Sequence, residues 1–420
     1  MNEARSAAPG PSREFVALVA LLTSLVALSI DAMLPALGVI ASELQAHGEN
    51  SRQFVVLCFF AGFGVGQLLF GPLSDRIGRK PAILIGVVVY SLGSLLCLLA
   101  SDFNAFLIGR AVQGLGASGP RIVAMAMVRD GQSGPAMARV MSLVMSVFII
   151  VPVLAPALGQ LVLLVAGWRD IFVLFLLIAV SAGAWLAWRQ PETLAPERRR
   201  PVSVGALAGA ARQVLSHRVT MAYTLTAGLS SGLLIAYLGV CQQVFSDLYD
   251  QGQLFVLYFG VLAAALGLAS VINARLVMRL GMRRLTGLAL RATVILSLVF
   301  LAVCLSGDGV PPLAAFMAYM FPIFFCLGML FGNCNALAME PMGPIAGMAA
   351  SIIGSISSVV SVLAGGLVSQ LYDGTLRPLV IGYAVISVMA LLTSMLAGAA
   401  AESRPFESPA RRQSRERDQS

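Results

Sequence analysis

Two ionisable side chains, Asp31 and Arg110, lie deep inside long apolar runs of the sequence. At a helical rise of about 1.5 Å per residue, both reach a similar depth in a membrane. An ionisable group at the centre of a bilayer costs at least about 2.5 kcal/mol, so it normally faces a cavity or a partner and serves a function. Burial favours the neutral form of a carboxyl group, and a nearby cation favours its ionised form. We therefore expect Asp31 to take up and release a proton beside Arg110; the alternative is a fixed structural ion pair.

A short charged segment, residues 71–80, joins the second and third apolar runs and reads Gly-Pro-Leu-Ser-Asp-Arg-Ile-Gly-Arg-Lys. Both flanking runs are long enough to cross a bilayer, so we expect a tight turn at the membrane surface. The turn either gates a movement of the helices or only orients them through its excess of bases. Its candidate functional positions are Gly71, Asp75, Arg76, Gly78, Arg79 and Lys80.

The fourth apolar run contains the segment 107–118, Leu-Ile-Gly-Arg-Ala-Val-Gln-Gly-Leu-Gly-Ala-Ser. Gln113 offers an amide inside the bundle, one helical turn after Arg110. Gly114 and Gly116 allow neighbouring helices to approach closely. A packing face of small residues would explain the glycines but not the arginine.

The fifth apolar run contains the segment 152–159, Pro-Val-Leu-Ala-Pro-Ala-Leu-Gly. Pro152 and Pro156 each remove a helical hydrogen bond, so we expect this helix to be kinked or loosened before Gly159.

The composition is that of a membrane protein. The chain has 420 residues, of which 58% are hydrophobic and only 11% charged, whereas soluble domains carry roughly 25% charged residues. The net charge of +8 does not indicate nucleic-acid binding, because the bases lie mainly in loops and tails. The six cysteines form no Cys-x-x-Cys pair, so neither a metal site nor a disulfide framework is predicted. Lys80 is the only lysine and Pro81 follows it, which excludes a phosphate-binding P-loop and an ATP-driven pump.

The apolar runs predict an all-α membrane protein with twelve transmembrane helices in two six-helix halves. We predict an N-terminal tail at 1–14, a first half at 15–188, a basic linker at 189–218, a second half at 219–400 and a C-terminal tail at 401–420. The loops predicted to face outward hold only three bases, Arg52, Arg169 and Arg377, so both termini are expected in the cytoplasm.

The second half repeats the charged turn in a degenerate form at residues 273–284. When Gly281 is aligned with Gly78, bases again flank the glycine, and Met278 stands where Asp75 would be. Such a repeat is expected when two halves are related by an axis along the membrane normal.

Residues 71–80 resemble the loop signature G-x-L-x-D-R-x-G-R-K of the major facilitator superfamily. Residues 107–118 resemble its fourth-span signature, R-x-x-Q-G-x-G-A. Residues 152–159 resemble the signature of drug–proton antiporters, G-x-x-x-G-P-x-x-G-G, but Ala155 and Gln160 replace two of its glycines.

Residues 29–37 and 338–351 are similar to the Bcr/CflA group of bicyclomycin and chloramphenicol resistance exporters, with Pro344 where that family commonly has a histidine. The resemblance covers nearly the whole chain. It implies a bacterial inner-membrane exporter that exchanges protons for amphipathic drugs by alternating access, with Arg110 taking part in proton coupling. We therefore expect small molecules, protons and lipid as partners, no cofactor or nucleic acid, and a monomer.

The resemblance also implies that Asp75 contacts the second half and stabilises one state, and that Arg79 reaches Asp130. An apolar cavity that is rich in aromatic side chains and poor in charge suits amphipathic drugs. Candidate substrate contacts of this kind in the second half are Tyr237, Gln242, Phe321, Phe324, Phe325 and Asn333.

Two other functions fit parts of this pattern. One is a narrow-range metabolite transporter of the same fold, although the antiporter-like segment 152–159 argues against import. The other is a non-transporting membrane sensor, which would not need Asp31 and Arg110 at mid-membrane depth. A membrane enzyme is disfavoured because the sequence offers no nucleophile–base or metal constellation.

Overall fold

A computed structural model describes residues 13–131, 134–199 and 204–402. These residues form helices and connecting turns, with no strand among them. The α-helices of the first part are α1 Arg13–Asp31, α2 Leu37–Glu43, α3 Phe54–Ile77, α4 Arg79–Leu99, α5 Phe103–Gly131, α6 Gly134–Val165 and α7 Trp168–Arg189. Those that follow are α8 Val204–Ser216, α9 Arg218–Gln242, α10 Phe255–Leu280, α11 Met282–Leu305, α12 Leu313–Met339, α13 Ala346–Gln370 and α14 Arg377–Glu402. The predicted tails at 1–14 and 401–420 lie almost entirely outside the described residues.

Ten helical stretches of the described chain are long and apolar enough to cross a membrane. α5 and α6 are equally long but are not among the ten. α5 is polar for its length because it carries Arg110, Gln113 and Arg121. α6 contains an apolar stretch from Ile150 to Val165.

The helices pack in two groups that touch along two lines. α5 packs between α3 and α4, α4 packs on α7, and α1 packs on α6. In the second group, α9 packs on α13 and α14, and α12 packs on α10 and α11. α3 packs on α13 and α6 packs on α10, and these pairs join the groups.

The first predicted span, 15–38, is not one continuous helix. α1 ends at Asp31, and a short 3-10 helix, Leu34–Ala36, leads into α2. Pro35 accounts for the break, because proline has no N–H to donate to the carbonyl group of Asp31, four residues earlier. The α-helix is therefore interrupted directly after the residue that is expected to bind a proton.

Glycine makes the tight turns between α3 and α4 and between α10 and α11. Gly78 has φ +109° and ψ 162°, and Gly281 has φ +77° and ψ 153°. Residues with a side chain rarely adopt this conformation. The predicted alignment of the two turns on these glycines is confirmed at the level of the backbone.

The predicted linker, 189–218, contains a helix that the sequence analysis missed. α8 places Ala210 and Val214 against Tyr223 of α9 and Ile352 of α13 in a small apolar cluster. The helical spacing of Leu207, Ala210 and Val214 is the signal for α8, and the many arginines of the segment obscure it.

Candidate functional site

Asp31 is buried, with 6% of its surface exposed, and it faces the second helix group. Its carboxylate lies within electrostatic range of the Tyr237 hydroxyl and the Cys241 thiol of α9. Nearby, a Cβ placed on Gly38 of α2 would lie 3.3 Å from Nε2 of Gln242, so α2 approaches the end of α9 at this point. Among the hydrogen bonds and ion pairs of the described residues, none reaches the Asp31 carboxylate. Within the described part of the chain, Asp31 is therefore a buried acid without a counter-ion.

Arg110 is fully buried inside the first helix group. Its Nε donates to the carbonyl oxygen of Val55 at 3.3 Å, and its Nη1 donates to Oε1 of Gln113. Its Cζ lies 4.7 Å from the centre of the Phe59 ring, in a cation–π contact. Nη2 has no hydrogen-bond partner in the described structure.

The expected ion pair between Asp31 and Arg110 is absent, because no nitrogen of Arg110 lies within 4.0 Å of an oxygen of Asp31. Residues two positions apart on a helix differ in direction by about 200°. Ser29 points into the first helix group, toward α4, so Asp31 points away from it, toward α9. Similar positions along two apolar runs of the sequence did not imply that the two side chains face each other.

Instead, two sets of hydrogen bonds that meet at Tyr90 lie between Arg110 and α1. Gln113, which binds Arg110, donates from Nε2 to Oγ of Ser94 at 2.8 Å. The Tyr90 hydroxyl lies beside Ser94 and Gln113 and is 2.5 Å from Oγ of Ser29. All five side chains are fully buried. Glycines allow this close packing, because a Cβ on Gly116 would overlap the backbone of Tyr90.

The α3–α4 turn is held together by Arg79. Its side chain donates to Asp75 at 2.5 Å, to Asp130 at 2.7 Å and to Ser74 at 2.7 Å. The predicted contact between Arg79 and Asp130 is thus present. A Cβ on Gly347, at the start of α13, would lie 3.5 Å from the second oxygen of Asp75. Asp75 therefore reaches the second helix group, as predicted.

The remaining residues of the turn have different surroundings. A Cβ on Gly71 would overlap Oγ of Ser351 in α13, so this glycine lets α3 and α13 meet. Lys80 donates from Nζ to the carbonyl oxygen of Ala187 at 2.7 Å, whereas Arg76 is exposed.

α6 remains one helix through Pro152 and Pro156. A Cβ on Gly159 would overlap the carbonyl oxygen of Ala32, the residue after Asp31. The antiporter-like segment therefore packs directly against the break in α1.

The candidate substrate contacts other than Gln242 divide into three sets. The Tyr237 ring lies 4.9 Å from that of Phe324, and the Tyr237 hydroxyl is buried without a hydrogen-bond partner in the described structure. Phe325 is half-buried and Phe321 is 38% exposed. Asn333 is already satisfied, because it exchanges hydrogen bonds of 2.9 and 3.0 Å with Asn273 of α10.

The family model described as Major Facilitator Superfamily matches residues 19–365 of the sequence. The chain belongs to the major facilitator superfamily. It is 32% identical to the MFS-type transporter YdgK of Bacillus subtilis (strain 168), over 83% of this chain and 87% of that protein. It is 29% identical to a bicyclomycin resistance protein homolog of Haemophilus influenzae, over 90% of this chain and 94% of that protein. The crystal structure of a D-xylose–proton symporter has the same fold, with a TM-score of 0.72 at 15% identity over 91% of this chain and 95% of that one. The protein is therefore a multi-pass membrane transporter and not an enzyme.

This facilitator has a second inter-group contact at the opposite end from the α3–α4 turn, which the sequence analysis did not predict. Arg52, just before α3, donates to Oδ2 of Asp247 at 2.6 Å and to Oε1 of Gln242 at 2.6 Å. Gln242, a candidate substrate contact, is engaged in this contact. Burial raises the pKa of the neighbouring Tyr372 to about 12, so its hydroxyl stays protonated near neutral pH.

A cluster of amides extends the Arg52 contact across the two groups. Gln53 donates from Nε2 to Oε1 of Gln243 at 3.0 Å, and Asn50 donates to the carbonyl oxygens of Gln370 and Tyr372 at 2.9 and 2.8 Å. Nothing in the sequence pairs these distant polar residues. The facilitator is thus closed at the Arg52 end by direct hydrogen bonds between its helix groups.

Proposed function

We propose that this facilitator is a Bcr/CflA-type exporter that exchanges protons for amphipathic small molecules by alternating access. The observation that carries the proposal is Asp31, a buried carboxylate without a counter-ion at the contact between α1 and α9. An intramembrane acid of this kind is typical of proton-coupled pumps and transporters. The similarity to a bicyclomycin resistance protein homolog supports a drug as the exported molecule.

In the proposed cycle, the charge on Asp31 controls which conformations are accessible. An ionised carboxylate requires water or a cationic group beside it, whereas a protonated one tolerates an apolar contact with α9. Proton uptake from outside would therefore permit closure around an empty site, and a drug entering from inside would displace the proton.

The aromatic cluster of the second group supports an amphipathic substrate. Tyr237, Phe324 and Phe259 form an apolar wall, with ring centres 4.9 and 6.0 Å from the Tyr237 ring. The unpartnered Tyr237 hydroxyl provides a polar atom at this wall, beside Asp31. We propose that the apolar part of a drug packs on the rings and that its polar part binds Tyr237 or Asp31.

We further propose that α5 and α6 also cross the membrane, which gives twelve spans. The halves would comprise 15–188 and 219–400, joined by the linker at 189–218, and the protein would be a monomer. The basic α3–α4 turn and both termini would lie in the cytoplasm of a bacterium, with the protein in its inner membrane. In this orientation the Arg52 contact closes the outer side.

The test is substrate-induced proton release in inverted vesicles, followed with a pH-sensitive dye. Bicyclomycin, chloramphenicol and ethidium would serve as probes, with Asp308→Asn, at an exposed acid between α11 and α12, as the control variant. We expect at least one probe to dissipate the pH gradient with wild type and Asp308→Asn, and none with Asp31→Asn. Absence of a response in the wild type, or a normal response in Asp31→Asn, would contradict the proposal.

A further inference from the structure

Ser29 and Asp31 lie on the last turn of α1 and point in opposite directions. Ser29 faces α4, where its Oγ is 2.5 Å from the Tyr90 hydroxyl, while Asp31 faces α9. The contact between Ser29 and Tyr90 therefore helps to hold this turn in the rotation that points Asp31 toward α9.

The donor and the acceptor of each hydrogen bond around Tyr90 can be deduced. The Ser29 hydroxyl is 2.5 Å from the carbonyl oxygen of Leu25, which can only accept, so the single proton of Ser29 is donated there. Tyr90 must then donate to Ser29. Ser94 likewise donates its proton to the carbonyl oxygen of Tyr90 and accepts from Gln113.

Two sets of hydrogen bonds meet at Tyr90. The first runs from Arg110 through Gln113 and Ser94 to the backbone carbonyl oxygen of Tyr90. The second begins at the Tyr90 hydroxyl, whose hydrogen points toward Ser29, so the positive end of that bond dipole is directed at the last turn of α1. The second set ends at the backbone carbonyl of Leu25, which cannot pass on a proton.

We propose that Tyr90 is a positioning residue through which Arg110 and Gln113 act on Asp31. This inference rests on the proposed proton coupling at Asp31. In this arrangement Arg110 acts on Asp31 without a direct ion pair. The hydrogen bonds also cannot carry a proton from Arg110 to α1, because they end at backbone carbonyl oxygens. Tyr90 orients the last turn of α1 and directs the positive end of its O–H dipole toward that turn.

The titratable groups that face Asp31 are Tyr237 and Cys241 of α9, among the described residues. Both remain unchanged when Tyr90 is replaced by Phe, which removes only the hydroxyl group. Since the ionised Asp31 carboxylate loses the favourable O–H dipole of Tyr90, the midpoint of the pH profile of drug-driven proton release should move to higher pH. A tenfold change in the apparent proton dissociation constant would shift this midpoint by about one pH unit, equivalent to about 1.4 kcal/mol.

The experiment compares this pH profile in inverted vesicles for wild type, Tyr90→Phe and Tyr319→Phe, with a probe that drives proton release in the wild type. Tyr319→Phe, in α12 of the second helix group, is the matched control. The Tyr319 side chain is buried, and its hydroxyl lies 3.2 Å from Oγ of Ser297 in α11. We expect Tyr90→Phe to shift the midpoint upward while drug binding at fixed pH is retained. Tyr319→Phe should leave the midpoint unchanged.

A second pair of variants tests the same contact if Tyr90→Phe does not accumulate. Ser29→Ala should shift the profile as Tyr90→Phe does, and Ser29→Thr, which keeps the hydroxyl, should restore it. A wild-type midpoint in Tyr90→Phe or Ser29→Ala, or an equal shift in Tyr319→Phe, would overturn the inference while proton coupling stands. If no probe drives proton release in the wild type, the proposed function fails first and the inference fails with it.

Discussion

The backbone N–H of Arg79 donates a 2.9 Å hydrogen bond to Oε1 of Glu192, so the segment after α7 closes over the first turn of α4. The second oxygen of Glu192 accepts from the N–H of Lys80 at 3.1 Å. The N–H groups of Thr193 and Leu194 bind the same carboxylate, each at 2.9 Å. The first N–H groups of a helix have no partner within the helix, and its N-terminus attracts anions. Glu192 thus ties the linker to the charged turn.

Replacing Glu192 with Ala should destabilise this end of the transporter. The substitution removes the acceptor for four N–H groups, and leaving partly buried donors unpaired costs about 1–3 kcal/mol. We expect a lower melting temperature of the purified protein in detergent, together with faster proteolysis of the 189–199 segment. Glu197→Ala is the control, since Glu197 is exposed in the same segment. Equal melting temperatures for the two variants would show that the Glu192 contacts do not stabilise the turn.

Arg79→Lys should impair transport although the charge is preserved. The guanidinium binds Asp75, Asp130 and Ser74 at once from two nitrogens, and a lysine ammonium cannot span these directions. Since Asp75 reaches α13, losing one of these bonds should weaken the contact between the helix groups. We expect drug efflux from cells to fall several-fold with unchanged amounts of protein in the membrane. Arg76→Lys, at the exposed neighbouring arginine, should transport normally.

The long apolar helices could be predicted from the sequence, but the direction in which a given side chain points could not. Hydrophobic length gave the long helices, and motif resemblance gave the contact between Arg79 and Asp130. Counting residues along a span does not determine which neighbour each face meets, so it could not show whether Asp31 and Arg110 form an ion pair. The break at Pro35 could have been predicted, since proline has no N–H to donate to the carbonyl group of Asp31.

Contacts between residues far apart in sequence were beyond prediction for a different reason. Glu192 lies in a segment interpreted only as a basic linker, and its role depends on unpaired N–H groups that the fold presents. The contact of Arg52 with Asp247 and Gln242 likewise joins residues from opposite halves of the chain. No local pattern marks such residues, because their neighbours are set by how the helix groups meet.

Reversing the charge of Arg52 or Asp247 alone should weaken closure at this end of the transporter. The pair is partly exposed, with 19% and 49% of the two side chains accessible, so its coupling energy should be about 0.2–1 kcal/mol. We expect Arg52→Glu and Asp247→Arg each to slow efflux, and the double variant to recover part of the loss. The single effects should diminish at high salt. If the double variant is as slow as the product of the two single effects predicts, Arg52 and Asp247 do not act as a pair.

Gly159→Ala should abolish most transport, because the added methyl group would overlap the carbonyl oxygen of Ala32. Alanine favours a helix over glycine by about 1 kcal/mol, but overpacking a tight contact costs about 1–3 kcal/mol. The contact here is with backbone that cannot rotate away, so we expect the cost to exceed the gain and α6 to be displaced from the break beside Asp31. Gly287→Ala is the matched control, since a Cβ on Gly287 of α11 meets no atom within 4 Å. Efflux and melting temperature of the two variants would be compared, with Gly287→Ala expected to match or exceed the wild type in stability. Normal efflux by Gly159→Ala would show that α6 can separate from α1 without cost to the transport cycle.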